Sequence, residues 1–325
     1  MSALRPELDA AIAKLYRNVR WETLAGDAST RRFHRLRLPD ASTRIVMDYG
    51  AAFAGETDDV RIARLFERAS LPVARIFEIL PEAGALILED LGDETLETAL
   101  GRVASETRPS RDELYRLSVE LSVAIATRGT AALAASDRAV GPALDDEKFL
   151  FEMRFFLEHF MGGFLGRPAV PPELRKAVEW LAVCVAAHPR VLCHRDFHSR
   201  NIMVRPNRTL AMVDIQDARW GPDTYDLASL LRDAYVDLTE GEVDRLFDLF
   251  KKARPGAPEG AALRKRFDLV AIQRMVKALG TFGYQVTKMG RDRYRASIPR
   301  TVERIRRLAP AHPELAPIVE ALARP

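Results

Sequence analysis

The spacing of hydrophobic positions predicts strands in the first third of the chain and helices in the remainder. Leu8, Ile12 and Leu15 recur at helical spacing, which indicates a short amphipathic helix over residues 6–18. A continuous apolar run at residues 85–88 is typical of a buried strand. The pattern predicts strands at residues 21–24, 31–38, 44–49 and 85–88, and a helix at about residues 57–69.

From residue 111 onward, apolar positions recur every three or four residues. Leu114, Leu117, Leu121 and Ile125 fall on one stripe, as in a helix that faces a core. The pattern predicts helices at about residues 111–135, 146–161, 173–188, 240–251, 261–287 and 300–308. A strand-rich beginning followed by a long helical part indicates an α+β fold.

Composition narrows the class of protein. The 325 residues can bury a sizeable core, and 49 Lys and Arg against 46 Asp and Glu leave a net charge of only +3, which argues against a general nucleic-acid binder. With only two cysteines and no metal-binding spacing, a reducing cytoplasm is the expected location. We find no secretory signal in the first 20 residues and no apolar run near 18 residues, so no membrane span is predicted. Nothing indicates an obligate protein partner.

The stretch from His194 to Val204 carries the clearest chemistry. Asp196 is followed five places later by Asn201 and then by an apolar strand, and Asp214 closes a second apolar strand. In phosphoryl transfer a carboxylate accepts or orients the acceptor hydroxyl proton, while an amide oxygen and a second carboxylate hold Mg²⁺. We therefore predict Asp196 as the base that also orients the acceptor, and Asn201 and Asp214 as metal ligands. The alternative is a polar turn between two strands.

This motif resembles the catalytic loop of the aminoglycoside phosphotransferase and choline kinase superfamily, whose fold is protein-kinase-like. The run from Val213 to Pro222, with Tyr225-Asp226-Leu227-Ala228 after it, is similar to bacterial anomeric sugar kinases that act on N-acetylmuramate and N-acetylglucosamine in peptidoglycan recycling. The resemblance extends over about residues 26–307. It implies two lobes, a β-rich nucleotide-binding lobe and hinge at residues 1–92 and an α-helical catalytic and acceptor-binding lobe at residues 93–325.

The resemblance also implies a nucleotide site for ATP in the first lobe. The small-residue turn at residues 26–30, which contains Ser29, would cover the phosphates. The third strand departs from the family because Met47 stands where a phosphate-binding Lys is expected. Helix 57–69 would then lack its usual ion-pair partner. Arg32 or Arg35 could supply the missing charge, or both could be solvated strand residues.

The apolar run 85–88 ends in Glu89-Asp90-Leu91-Gly92, which the resemblance identifies as the hinge between the lobes. Adenine would be bound there by the backbone carbonyl of Glu89 and the backbone N–H of Leu91. Seen alone, the same residues are consistent with a strand that ends at a glycine turn.

On the acceptor side, the segment after Asp214 is too short for a protein-kinase activation loop, which favours a small acceptor. Asp226 is expected to be a buried structural residue that binds the backbone of the catalytic loop. His198 could donate a hydrogen bond to the moving phosphoryl group or simply pack in the loop. Arg219 is our candidate contact for an acceptor carboxylate, with an ion pair to Asp217 or Asp223 as the alternative.

The leading hypothesis is therefore an ATP- and Mg²⁺-dependent kinase that phosphorylates the anomeric hydroxyl of N-acetylmuramate, N-acetylglucosamine or both. An aminoglycoside phosphotransferase is the second hypothesis. Residues 261–308 carry 13 Lys or Arg against 3 Asp or Glu, which disfavours a polycationic acceptor. The acids Asp217, Asp223, Asp233 and Asp237 leave that hypothesis open. The third hypothesis is a catalytically inactive nucleotide-binding protein, for which the missing strand Lys is the only argument.

Overall fold

The computed structural model of the protein describes residues 4–24, 31–102, 109–136, 140–254, 256 and 260–323. The chain divides into two compact units, Met1–Pro109 with Arg200–Asp217, and Ser110–Ser199 with Ala218–Pro325. Residues 200–217, which the sequence-based division placed in the second lobe, thus group with the first unit. Backbone hydrogen bonds from Met212 N to Pro72 O (2.9 Å) and from Val204 N to Glu94 O (2.8 Å) explain this grouping.

The first part of the chain is rich in strands, and the later part is mainly helical. The strands are β1 Arg20–Thr23, β2 Arg32–Arg37, β3 Thr43–Asp48, β4 Ile76–Leu80, β5 Ala85–Glu89, β6 Arg190–Cys193, β7 Ile202–Val204, β8 Leu210–Met212 and β9 Arg219–Pro222. The α-helices are α1 Pro6–Leu15, α2 Asp58–Arg68, α3 Leu96–Leu100, α4 Arg111–Ala124, α5 Thr130–Ala134, α6 Asp146–Phe156, α7 Pro172–Ala186, α8 Tyr225–Leu231, α9 Glu240–Ala253, α10 Ala261–Thr287, α11 Ile298–Leu308 and α12 Ala316–Ala323. Two π-helical segments, Ile125–Gly129 and Leu157–Phe164, continue α4 and α6. The predicted α+β class is confirmed.

The first unit is built on an antiparallel sheet with strand order β1-β2-β3-β5-β4. One face of the sheet buries Leu36, Val46 and Ile87 against Leu8 and Ile12 of α1. Fully burying a side chain of this size stabilises a fold by about 1.5–3 kcal/mol. This explains why the amphipathic helix at the start of the chain is part of the first unit.

Helix α2 covers the other face of the sheet. Met47 packs with Leu86 and with Val60 of the helix. The side chain of Thr57 caps the helix by accepting a hydrogen bond from the backbone N–H of Val60 (3.4 Å). Because side chains alternate along a strand, Tyr49 lies on the same face as Met47 and reaches the first turn of the helix.

The second unit is organised around the long helix α10, which packs on α6 and on the π-helical segment that follows α6. Two glycines allow a close backbone approach. A Cβ atom at Gly280 would lie 2.9 Å from the Cα of Phe156, and one at Gly283 would lie 2.5 Å from the carbonyl oxygen of His159. Any larger residue at either position would push the two helices apart.

Strand β6 leads into the catalytic loop. It pairs antiparallel with β9, and this pairing sets Cys193 opposite Arg219. Cys193 is buried and directly precedes His194. The ladder therefore fixes the backbone at the point where the loop begins.

Within the described residues, one helical stretch, Arg111–Ala134, is long and apolar enough to cross a membrane by composition alone. Its residues Leu114, Tyr115 and Val119 are buried inside the second unit. Because a core helix of a globular protein passes the same test, this stretch is weak evidence for a membrane span.

Candidate active site

Two buried aspartates hold the backbone of the catalytic loop, residues 194–199. Asp226, at the start of α8, accepts hydrogen bonds from the backbone N–H of His194 (2.7 Å) and of Arg195 (3.0 Å). The expectation that Asp226 supports this loop is confirmed. Arg195 adopts a left-handed backbone conformation with φ of +81°, which is costly for a residue with a side chain and persists only where its surroundings enforce it.

Asp233 holds the other end of the loop. Its carboxylate accepts hydrogen bonds from the backbone N–H of Ser199 (2.7 Å) and of Tyr235 (2.8 Å). Sequence reasoning gave Asp233 no such role and counted it among acids available to a cationic acceptor. Its position two residues after the end of α8, in the same segment as Asp226, was the only available signal.

Asp196 lies in this loop among positive side chains. Burial raises the pKa of Asp196, but the charges of Lys277, Arg274, Arg195 and His198 outweigh burial and lower it to about 2. Asp196 is therefore a carboxylate at neutral pH. It can accept a hydrogen bond from a hydroxyl group, and it is a weak base.

Helix α10 supplies two of these cations. Arg274 donates a hydrogen bond from Nη1 to the backbone carbonyl of Arg195 (3.0 Å), and its guanidinium lies 4.4 Å from the ring centroid of Tyr225. These contacts bring the helix against the catalytic loop. Lys277 follows three residues later and so lies on the same face of the helix.

Lys277 also faces a buried carboxylate on α6. Its Nζ lies 3.6 Å from Oε1 of Glu152, whose residue is only 4% exposed. Gln273 donates a hydrogen bond to the other oxygen, Oε2, at 2.8 Å. Sequence reasoning missed Arg274, Lys277 and Glu152 as site residues and saw only the general basic excess of residues 261–308.

Asn201 and Asp214 lie side by side in the first unit. Asn201 precedes β7, Asp214 follows β8 by two residues, and the hairpin of these two strands brings them together. Asn201 Nδ2 lies 3.5 Å from Asp214 Oδ2, and Gln216 donates to Asp214 Oδ1 at 2.7 Å. Asp214 has a left-handed φ of +60°.

This pair has a donor set that suits Mg²⁺. An amide oxygen and a carboxylate are hard ligands, and Mg²⁺ keeps several waters and phosphate oxygens rather than requiring a full protein cage. In the described part of the chain, no group of three or more His, Cys, Asp or Glu residues is placed to hold a metal ion.

The predicted nucleotide-side residues are all in the first unit, except that Ser29 lies outside the described residues. Arg35 is buried and donates to Asp90 at 2.6 Å and to Asp93 at 2.7 Å, so carboxylates of the hinge segment already hold its guanidinium. Arg32 is exposed at the start of β2. A phosphate contact of either arginine remains a prediction.

The hinge residues follow β5 as expected. The side chain of Glu89 accepts from Arg205 Nη2 at 3.2 Å, and Leu91 is buried. The predicted adenine contacts use the backbone of these two residues. The contacts of their side chains therefore do not test that prediction.

Helix α2 lacks its usual ion-pair partner, since Met47 stands at the strand position, but it has a different one. Arg31 donates from Nη1 to Asp59 Oδ1 at 2.9 Å, and the hydroxyl of Tyr49 donates to Asp59 Oδ2 at 2.7 Å. Burial raises the pKa of Asp59, and Arg31 and Tyr49 oppose this effect while the nearby charge of Asp214 adds to it. The sequence did not reveal the pair because Arg31 and Asp59 are 28 residues apart and no local pattern places them together.

His198 and Arg219 are both in the second unit. The ring of His198 packs edge-on to Tyr235 with centroids 5.3 Å apart. Arg219 Nη1 lies 3.5 Å from the carbonyl oxygen of Pro142. The alternative partner Asp223 is instead bound by Arg254 and Arg266, each at 3.0 Å.

Comparison with known proteins identifies the family. The sequence model of the phosphotransferase enzyme family matches residues 20–263. The chain belongs to the phosphotransferase enzyme family. Two relatives, both named N-acetylmuramate/N-acetylglucosamine kinase, support this assignment. The one from Neisseria meningitidis is 31% identical over 92% of this chain and 88% of its own length, and the one from Pseudomonas aeruginosa is 30% identical over 92% and 86%.

Solved structures of phosphotransferases share the fold. Choline kinase LicA from Streptococcus pneumoniae superposes with a TM-score of 0.61 at 15% identity and covers 92% of this chain and 97% of its own. A protein from Ralstonia eutropha described as an aminoglycoside phosphotransferase gives 0.61 at 13% identity, covering 97% of both chains. The predicted kinase-like fold is thereby confirmed for this phosphotransferase.

Proposed function

We propose that this phosphotransferase transfers the γ-phosphoryl group of ATP to the anomeric hydroxyl of N-acetylmuramate, N-acetylglucosamine or both. The observation that carries the proposal is similarity over nearly the whole chain to four bacterial proteins named N-acetylmuramate/N-acetylglucosamine kinase, at 29–31% identity. We place the reaction in the cytoplasm, as part of peptidoglycan recycling, with ATP and the free sugar as the only partners required.

The electrostatics of Asp196 suit such an acceptor. An anomeric hydroxyl belongs to a hemiacetal and is more acidic than an ordinary alcohol, because the ring oxygen withdraws electron density. In a loose transition state the bond to the leaving phosphate breaks before much of the new bond forms, so the hydroxyl proton leaves late. A carboxylate with a pKa of about 2 is then sufficient to orient the hydroxyl and receive its proton.

Each partner in the reaction has a candidate residue. The sugar oxygen forms a bond to the γ-phosphorus while the bond from that phosphorus to the bridging oxygen of ADP breaks, and the sugar proton passes to Asp196. Asn201 and Asp214 would hold Mg²⁺, which neutralises charge on the phosphate oxygens. His198 would donate a hydrogen bond to the phosphoryl group in flight, and Arg219 would bind the carboxylate that distinguishes muramate from glucosamine.

In the described residues, some of the carboxylates that a polycationic acceptor could use already have partners. Of the acids that left the aminoglycoside hypothesis open, Asp233 binds backbone N–H groups, and Asp223 is bound by two arginines. Asp237 pairs with Arg304 at 2.6 Å. With these carboxylates engaged and cations around Asp196, a cationic acceptor would meet repulsion.

A screen of acceptors tests the proposal. The protein should be incubated with ATP, Mg²⁺ and, separately, N-acetylmuramate, N-acetylglucosamine, kanamycin and choline, with ADP release as the readout. We expect turnover with one or both sugars and loss of the reducing end of the product, because a phosphate at the anomeric position blocks ring opening. A product that keeps its reducing end places the phosphate on another hydroxyl, and turnover with kanamycin alone rejects the assignment.

A further inference from the structure

The first unit lacks a lysine where this fold class usually has its phosphate-binding cation. Met47 occupies that strand position, is 5% exposed, and packs with Leu86 and with Val60 of α2. An apolar cluster of this kind has no charged group to give to a phosphate. If the chain binds ATP through a comparable contact, another residue must supply the charge.

A cation lies on the same side of the sheet, next to Tyr49, which follows Met47 by two residues. Tyr49 shares its face with Met47, and its hydroxyl lies 2.7 Å from Asp59 Oδ2. Arg31 lies 2.9 Å from Asp59 Oδ1, and its guanidinium carbon is 5.4 Å from the ring centroid of Tyr49. Asp59 is in the first turn of α2, directly before Val60, so the acid lies beside the space that Met47 fills.

The arrangement reproduces the usual pairing of a strand cation with a helix acid. In kinase-like enzymes a lysine that contacts the phosphates is held by an acidic residue of the following helix. Here the acid is Asp59, and the cation comes from a different place in the hairpin. Both oxygens of Asp59 are engaged, by Arg31 and Tyr49, so the carboxylate is fixed in orientation.

The location also fits the nucleotide site. Asp59 is close enough to the predicted metal ligand Asp214 for the two negative charges to interact. The two other arginines of this hairpin are less suited, since Arg35 is held by Asp90 and Asp93 and Arg32 is exposed. A guanidinium carries five N–H donors, so a bond to Asp59 is compatible with a contact to phosphate.

We infer that Arg31, oriented by Asp59, is the cation that binds the nucleotide phosphates in place of the strand lysine. The inference rests on the proposed use of ATP. Arg31 contacts the ligand, whereas Asp59 is a positioning residue that acts through Arg31. Met47 is then an apolar spacer between the sheet and α2.

Binding measurements without any sugar test this inference. Calorimetric titration with the non-hydrolysable analogue AMPPNP and Mg²⁺ should be compared with titration by adenosine, which has no phosphate. For Arg31→Met we expect the Kd for MgAMPPNP to rise by roughly tenfold to 100-fold, the range for a hydrogen bond to a charged group, with the Kd for adenosine unchanged. Arg64→Met, which removes the exposed ion pair between Arg64 of the same helix and Glu56 before it, is the matched control and should change neither Kd.

The double variant separates the two roles. Asp59→Asn should weaken MgAMPPNP binding by itself but add nothing in the Arg31→Met background, because a positioning residue has no effect once its partner is gone. The double variant also removes both charges together, so it avoids an unpaired buried carboxylate and keeps the measurement possible if Arg31→Met alone unfolds.

Two results would overturn the inference. One is an unchanged Kd for MgAMPPNP in the Arg31→Met or double variant, and the other is an equal loss of adenosine binding, which would indicate a purely structural pair. Because no acceptor is present, failure of the sugar-kinase proposal would leave this test unaffected.

Discussion

The ammonium group of Lys277 lies 3.6 Å from Oε1 of Glu152, and the same lysine charge helps to lower the pKa of Asp196. The pair joins α10 to α6 behind the catalytic loop. Its position makes the protonation of Asp196 depend on a residue 81 positions later in the sequence. This dependence can be measured.

Lys277→Met should shift the acidic limb of the kcat profile upward by roughly one pH unit. Removing a nearby positive charge raises the pKa of a carboxylate, so Asp196 would be protonated, and activity lost, at a higher pH than in the wild type. Steady-state rates between about pH 2 and pH 6 would show the shift, since the pKa of Asp196 in the wild type is about 2. Arg264→Met, which breaks the Arg264–Asp268 pair on the same helix, should leave the profile in place. Superimposable profiles for wild type and Lys277→Met would show that Lys277 does not act on Asp196.

Asp196→Asn should keep the fold and the nucleotide affinity but lower kcat by several orders of magnitude. The amide cannot receive the hydroxyl proton, and a group that acts in the transition state affects kcat more than ground-state binding. Single-turnover rates and a titration with MgAMPPNP would separate the two effects. Near-normal turnover in this variant would exclude Asp196 as the base.

Asp233→Asn should destabilise the protein and slow catalysis without a comparable change in nucleotide binding. An amide can accept from one of the two backbone N–H groups that Asp233 now satisfies, which leaves a buried donor unpaired at a cost of about 1–3 kcal/mol. Urea denaturation would give the loss in the free energy of unfolding. Asp237→Asn removes the same charge from an exposed position and is the comparison variant. Equal stabilities for the two variants would argue against a role for Asp233 in holding the loop.

Arg219→Ala should raise the KM for N-acetylmuramate by about tenfold while changing that for N-acetylglucosamine little. Only the first sugar has a carboxylate, and a guanidinium–carboxylate bond is charge-assisted. Initial rates with both sugars at saturating ATP would give the ratio of the two effects. If both KM values rise equally, Arg219 contributes to the site without recognising the carboxylate.

The sequence was sufficient where contacts are local. Asp196 and Asn201 are five residues apart in the sequence, and Asn201 and Asp214 are brought together by a hairpin whose strands are read directly from apolar runs. Asp226 was predicted to bind the loop backbone and does so. The first two placements need only the path of a few neighbouring residues, whereas the position of Asp226, 31 to 32 residues after the backbone groups it binds, was implied by the family resemblance.

It was insufficient where contacts depend on how distant elements pack. The approach of Lys277 to Glu152 depends on the register between α10 and α6, and no local pattern encodes that register. Helix α10 is mostly buried, yet it contains the polar residues Gln273, Arg274 and Lys277. Their position was a usable signal, which a count of charges over residues 261–308 did not reveal. Arg31 begins the predicted strand 31–38, but its contact with Asp59 depends on how this part of the hairpin packs against α2.

The glycines of α10 have a consequence for the charge environment of Asp196. Gly280 lies less than one turn beyond Lys277, and the space for its missing methyl group is filled by the backbone of Phe156. Close main-chain contact between α10 and α6 therefore helps to set the distance from Lys277 to Glu152. A single added carbon at position 280 would meet the backbone of Phe156 and push α10 away from α6, which would lengthen the Lys277–Glu152 pair. The charge environment of Asp196 can therefore be altered through a residue that carries no charge.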